Sequence, residues 1–277
     1  MISKAFTTVL LTGFVAGSFY TGAQMLKVTP LILESEKYEI GETDVPHTHE
    51  SSAITHEHDL NGVALEAHKK MGTPHETQPA AHDHDGVVHN HSAESWAPGD
   101  EVERTFYTAV SNIVTAIAFS LMLVAVFLLR GKSVEVSSGI LWGAAGFAVF
   151  SLAPALGLPP ELPGMTAAAL ESRQGWWIGT VIATAIGIGL FTESKSILPK
   201  IAALAILAAP HLIGAPHPFL FESNVPAELS AQFAVASLVT SAFFWLVLGT
   251  TSGYFYKKLV QETSGDFLKN TSTLKPQ

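Results

Sequence analysis

The sequence predicts an all-α polytopic membrane protein of about six transmembrane helices, with a long histidine-rich loop on the extracytoplasmic side. Three observations predict it. Hydrophobic residues make up 48% of the 277 and charged residues only 14%, giving a mean hydropathy of +0.32. The charges are segregated, most of the acid lying between residues 34 and 103 while the long apolar runs are nearly free of it. Ten of the twelve histidines fall between His47 and His91. Apolar runs of this length belong in hydrocarbon, and the polar stretch between them belongs in water.

Residues 5–26 carry no charge after Lys4, and 22 residues of helix span about 30 Å of hydrocarbon. A cleaved signal peptide is the competing reading, with Lys4 as its basic end and Gln24 after a poor cleavage site. The run is longer than a usual signal core, so a retained helix is expected. Residues 27–103 form the loop. Its first part, TPLILESEKYEI, is semi-apolar and suited to the interface; the rest is polar and turn-rich. Such a composition buries too little apolar surface to fold alone, so disorder without metal is expected there.

Five spans follow in the core, residues 104–258. Residues 106–129 close on Arg130 and Lys132, and 139–158 end in Gly and Pro. Residues 175–191 open on Trp176 and Trp177, a pair suited to an interfacial aromatic belt. Residues 197–216 are interrupted by Pro210 and Pro216, and 229–255 close on Tyr254, Tyr256, Lys257 and Lys258. Residues 259–277 are the tail. With both termini cytoplasmic, the inner segments hold Lys4, Arg130, Lys132, Lys195, Lys200 and the C-terminal lysines. The short outer loops hold only Arg173, so the positive-inside tendency puts the histidine loop on the outer, periplasm-like side.

The chain also repeats itself. Glu103-RTFYTAVSNIVTAIAF aligns without a gap on Glu228-LSAQFAVASLVTSAFF, and the ends of the third and fifth spans, APALGLP and APHLIGAP, resemble each other. The pattern fits three helical hairpins of one parent: a helix out, a Gly/Pro-broken cap, an acid, and a helix back. Internal repeats with interrupted helices are common in transporter folds, although apolar segments also align by chance.

Composition excludes several function classes. No basic patch suggests nucleic acid, and with no cysteine there are neither disulfides nor thiolate metal sites. HExxH, Walker and GxSxG patterns are absent, so no enzyme is expected.

The metal-seeking residues stand out instead. Four His-x-His pairs occur: His47 with His49, His56 with His58, His82 with His84, and His89 with His91. In an extended chain alternate side chains share a face, so each pair can offer two imidazoles to one ion. Glu50, Glu57, Asp59, Asp83 and Asp85 flank them. Imidazole with carboxylate suits cobalt, nickel, zinc or copper, and the irregular spacing argues for several weak capture sites rather than one closed site. A merely solvated or pH-sensing loop is the bland alternative. His211 and His217 lie in APHLIGAPHP at the outer end of the fifth span, where ionisable groups are costly and tend to be functional; interfacial histidines bonded to backbone or headgroups would look the same. Glu161, Glu103 and Glu228 sit at outer helix ends, lining a vestibule or, by default, acting as N-terminal dipole partners. Asn112 with Ser111, and Thr240 with Ser237, serve helix packing or a pore.

Seven strings carry a family resemblance: PLILE (30–34), the His/Asp-rich insert, WAPGDEVERTFYTAVSN (96–112), FSLAPALGLPPELPGM (150–165), RQGWW (173–177), PHLIGAPHP (210–218) and VPAELSAQFAVASLV (225–239). Over residues 5–258 the chain resembles the CbtA family of cobalt transporter subunits. The resemblance implies a cytoplasmic-membrane protein that imports cobalt for cobalamin synthesis with CbtB, a small single-span partner. It adds no catalytic residues. The expectation is divalent metal uptake, with the loop collecting the ion and the Pro-broken ends of the third and fifth spans admitting it. A membrane-anchored sensor or buffer that does not itself transport is the alternative, and a structural subunit with an incidental loop is a third.

Overall fold

A computed structural model of the chain describes residues 2–40, 101–218 and 223–262. The eight paired histidines lie outside the described residues: His47, His49, His56, His58, His82, His84, His89 and His91. The tail beyond residue 262 does too. All regular structure among the described residues is helical. We number the helices α1 (Ile2–Lys27), α2 (Thr29–Ile40), α3 (Glu101–Arg130), α4 (Val136–Ala155), α5 (Leu170–Glu193), α6 (Ile197–Ile213) and α7 (Ala227–Glu262).

Five of these, α1, α3, α4, α5 and α7, are long and apolar enough to cross a bilayer. The fifth predicted span is shorter than the sequence suggested: α6 stops after 17 residues, where Gly214 takes φ +88°. Seventeen residues rise about 25 Å, short of the roughly 30 Å of hydrocarbon. Pro210 lies inside α6 rather than ending it, and the helix runs three residues beyond. Proline there leaves the Ile206 carbonyl without its usual i+4 donor. In α4 the interruption before Pro154 takes a different form, a π-helical turn over Ala148–Leu152. The semi-apolar TPLILESEKYEI stretch is helix α2. Its Leu31, Ile32 and Tyr38 pack on buried Val28, Leu162, Val225 and Phe233, which seats it across one end of the bundle. Its Glu36 pairs with Arg104 of α3 at 3.1 Å.

Glycine decides which helices meet closely. In lipid there is little hydrophobic drive between helices, so small residues that admit close backbone packing count for more. On α1, a β-carbon at Gly13 would stand 2.7 Å from Ile117 Cα, and one at Gly17 would stand 2.9 Å from Ile113 N. The register, 13 on 117 and 17 on 113, makes α1 and α3 antiparallel. Asn112 then donates from Nδ2 to Gln24 Oε1 at 2.7 Å and Thr21 Oγ1 at 3.1 Å. Asn112 thus joins α3 to α1 through two side-chain bonds. Asn112→Ala is expected to lower stability by about 1 kcal/mol, the usual scale for an interhelical polar bond in a membrane, measurable by thermal unfolding in detergent.

The same device joins α4 to α7, where Gly139 and Gly143 face Gly249 and Gly253. These pairings refine the hairpin picture. The chain runs out and back three times; α1 packs most extensively on α3 and also on α7, while the later helices are nested, α4 on α7 and α5 on α6. The α5–α6 pair meets the other helices chiefly through residues 148–155 of α4. Outward-facing Phe6, Phe14, Leu121, Ile178, Ile182, Ile186 and Val235 are exposed, as lipid-facing positions must be.

At the end away from α2, Arg130 pairs with Glu193 at 2.7 Å and covers the Trp142 ring at 5.3 Å. Lys200 lies over Phe191 there, and Gln261 Nε2 donates to the Val134 carbonyl at 3.3 Å. Basic residues therefore gather at this end.

Candidate functional site

Between α1, α5, α7 and the Pro-broken end of α4, at the α2 end, lies an open cavity of about 700 Å³. Its position follows from the interruption at Pro154. After α4 gives out at Ala155, residues 156–169 are largely without helix, with Gly164 at φ +80°. That irregular cap leaves a gap that α5 does not fill. Irregular backbone at such depth is tolerated where it lines a water-filled space.

The mouth carries opposite charges. Arg173 Nη2, in the first turn of α5, meets Glu161 Oε2 of the cap at 2.6 Å. Both side chains are partly covered, 31% and 22% exposed. Arg173 Nε is buried without a hydrogen-bond partner, so the side-on fork through Nε and Nη2 is not made. Glu161 is therefore no helix N-terminal residue. The default reading does fit Glu103 and Glu228, in the first turns of α3 and α7, and Glu171 holds the same place on α5.

Below the mouth the wall is hydroxylated. Ser151 of α4 and Ser241 of α7 share a hydrogen bond at 2.8 Å, Tyr20 of α1 stands beside them, and Ser237 Oγ is buried with no partner. A smaller hollow of about 190 Å³ continues inward from Tyr20, Ser151 and Ser241 to Asn112 and Thr115. Its floor is aromatic. Phe150 stacks on Trp245 at 5.6 Å between centroids and 10° between planes, and Phe119 lies 4.8 Å from Trp245 and 6.3 Å from Phe244. Phe119 and Phe244 are the residues matched by the internal repeat.

The sequence-derived candidates are distributed unevenly over this geometry. His211 and His217 are exposed at the same end, and neither lines the cavity. His211 instead meets the Trp176 ring edge-on at 6.1 Å, and Trp176 Nε1 donates to the Pro210 carbonyl at 3.3 Å. Trp176 thus fastens α5 to α6, while Trp177 lines the cavity, so the pair does more than an interfacial belt would. Among the described residues no three His, Asp or Glu side chains gather to hold a metal. The paired histidines of the loop, His47 and His49, His56 and His58, His82 and His84, and His89 and His91, stand outside those residues. Of the paired polar groups, Ser237 faces the cavity and Thr240 bonds back to its own helix at the Ala236 carbonyl. Tyr20, Ser151, Ser241 and the role of Arg173 were missed. Arg173 gave a signal, as the one basic residue of the short outer segments, twelve positions after an acid of the same cap.

A family model described as "Probable cobalt transporter subunit (CbtA)" matches residues 2–257. The chain belongs to the CbtA family. No curated protein and no solved structure matches it. For a CbtA member, a multi-pass bundle in a lipid bilayer and a role in membrane cobalt transport follow directly. The CbtA match spans the helices that wall the cavity and both sides of its charged mouth.

Proposed function

We propose that this CbtA member carries cobalt, or a like divalent ion such as nickel or zinc, into the cell, with the ion entering by the cavity at the α2 end. One observation carries the reading: an open cavity with a charged mouth and a group of hydroxyls in a largely apolar wall is built where a helix is interrupted. Basic residues gather at the opposite end, and the positive-inside tendency makes that end cytoplasmic. The cavity and the segment from His47 to His91 then face outward, in the inner membrane of a bacterium. The pairs His47 with His49, His56 with His58, His82 with His84, and His89 with His91 capture the ion, and the acid around them raises its local concentration. His211 and His217, exposed at the same end, pass it on. A small single-span CbtB-like subunit is the expected partner, and supply for cobalamin synthesis the expected purpose.

The test is uptake of labelled cobalt by cells carrying the chain with and without that partner. Deleting residues 47–91 is expected to lower uptake several-fold at scarce cobalt and little at abundant cobalt, because a collector acts on local concentration. Replacing His211 and His217 with Ala is expected to lower uptake while total metal bound by the protein persists. Purified protein that binds cobalt but supports no uptake in any combination would make the chain a sensor or buffer.

A further inference from the structure

We propose that Glu161 is the anionic ligand of a divalent cation site inside the α2-end cavity, and that Arg173 is the counter-ion the arriving metal displaces. This rests on the transport reading above, and names the residues that would do its first selective step. The cavity is large enough. A metal ion with six waters takes about 180 Å³, counting roughly 30 Å³ for each water, and the cavity offers about 700 Å³. The hollow below it, about 190 Å³, leads on to the aromatic floor.

The electrostatics fit a replaceable partner rather than a permanent bond. A carboxylate in a covered mouth needs a positive charge beside it, and Arg173 supplies one through Nη2 at 2.6 Å while its Nε stays buried and unpaired. A divalent ion at the same distance doubles the Coulomb attraction to Glu161 and repels the guanidinium. Arg173 sits in the first turn of α5, whose hairpin with α6 meets the other helices chiefly at residues 148–155. Releasing Arg173 therefore removes an ion pair that ties the cap to the wall made by Gln174, Trp177 and Ile178. Beyond Glu161 the donors are oxygen: the hydroxyls of Ser151, Ser241 and Tyr20, and the orphaned Oγ of Ser237, which a metal-bound water would satisfy. Oxygen donors with a single carboxylate hold an ion loosely, as a site that must release its cargo requires.

The absence of cysteine makes the site directly readable. Gln174→Cys places a single thiol in the cavity wall near the mouth, and Ser237→Cys places one deeper. The full chain, reconstituted in vesicles, is labelled with a water-soluble thiol reagent at increasing cobalt(II). Cobalt is expected to slow labelling at least five-fold. Adding Glu161→Gln should abolish that protection, which also excludes simple binding of cobalt to the new thiol. Adding Arg173→Gln should bring protection on at cobalt concentrations several-fold lower, since the competing cation is gone. A merely structural ion pair predicts that Glu161→Gln and Arg173→Gln act alike. Equal effects, or no Glu161-dependent protection at either thiol, would overturn the assignment. Uptake that persists without protection would sink this site and leave the transport reading standing; protection without uptake would do the reverse.

Discussion

Replacing Gly249 with valine is expected to part α4 from α7 and lower the stability of the folded chain. The reason is steric and specific to backbone. A β-carbon at 249 would land on the Gly139 carbonyl oxygen and lie 2.7 Å from Gly143 Cα. Neither neighbour is a side chain that can swing away, so the helices must separate. Overpacking a core typically costs about 1–3 kcal/mol, and here the displaced element forms one of the bundle's most extensive interfaces. With attraction between membrane helices depending on packing, that loss is not offset by burial from water. Gly249→Ala is expected to be milder yet still destabilising. The contrast is Gly189→Val on α5, where a β-carbon meets nothing within 4 Å. Thermal unfolding in detergent should separate the two positions by several degrees, up to about 10 °C, since each kcal/mol shifts Tm by about 2–4 °C in a chain near this size. Equal behaviour would mean that α4 and α7 do not pack as described.

That contrast bears on what could be read before the fold was known. Long uncharged runs specify membrane helices because length and composition alone meet the bilayer's demand, and α3, α5 and α7 lie where those runs place them, though each extends beyond the run, α3 and α5 at the start and α7 at the end. The Gly-x3-Gly spacings at 13/17, 139/143 and 249/253 were also present in the sequence and mark close-packed seams. What they do not carry is the partner. Nothing local says that Gly249 seeks Gly139 rather than Gly13, so the nested order of α4 on α7 and α5 on α6 was not legible. The truncation of α6 was equally hidden, since it depends on Gly214 taking a positive φ.

The site divides the same way. Glu161 drew notice as an acid in a Pro-rich cap, and Ser237 as a polar residue on a paired helix. Tyr20, Ser151 and Ser241 are ordinary residues of apolar helices, and only their convergence on one cavity gives them meaning. The histidines at 211 and 217 were conspicuous by chemistry, yet their side chains stay exposed while a lone arginine reaches the mouth. Composition identifies which chemistries are on hand; position in three dimensions selects among them.

Trp245→Ala is expected to have the second large effect, on stability and on sealing at once. The side chain is 2% exposed and touches Phe119, Phe150 and Phe244, and its ring fills the space a β-carbon at Gly146 would take. Removing a buried tryptophan costs about 3–5 kcal/mol in a core assembled from water. The low end, about 3 kcal/mol, is expected here because lipid is the alternative solvent and packing is the main quantity lost. The vacated volume joins the hollow of about 190 Å³ that already reaches Asn112 and Thr115. With the stacked Phe150–Trp245 pair gone, the cavity loses its aromatic floor, and buried Leu123, Phe127 and Leu248 are left as the packing toward the basic end. Proteoliposomes carrying Trp245→Ala should therefore leak cobalt passively, several-fold faster than those with the parent chain. Trp245→Phe keeps an aromatic ring on Phe150 and should restore most of the seal at a smaller stability cost. A leak unchanged by Trp245→Ala in protein that is still folded would show that the barrier lies elsewhere along the helices.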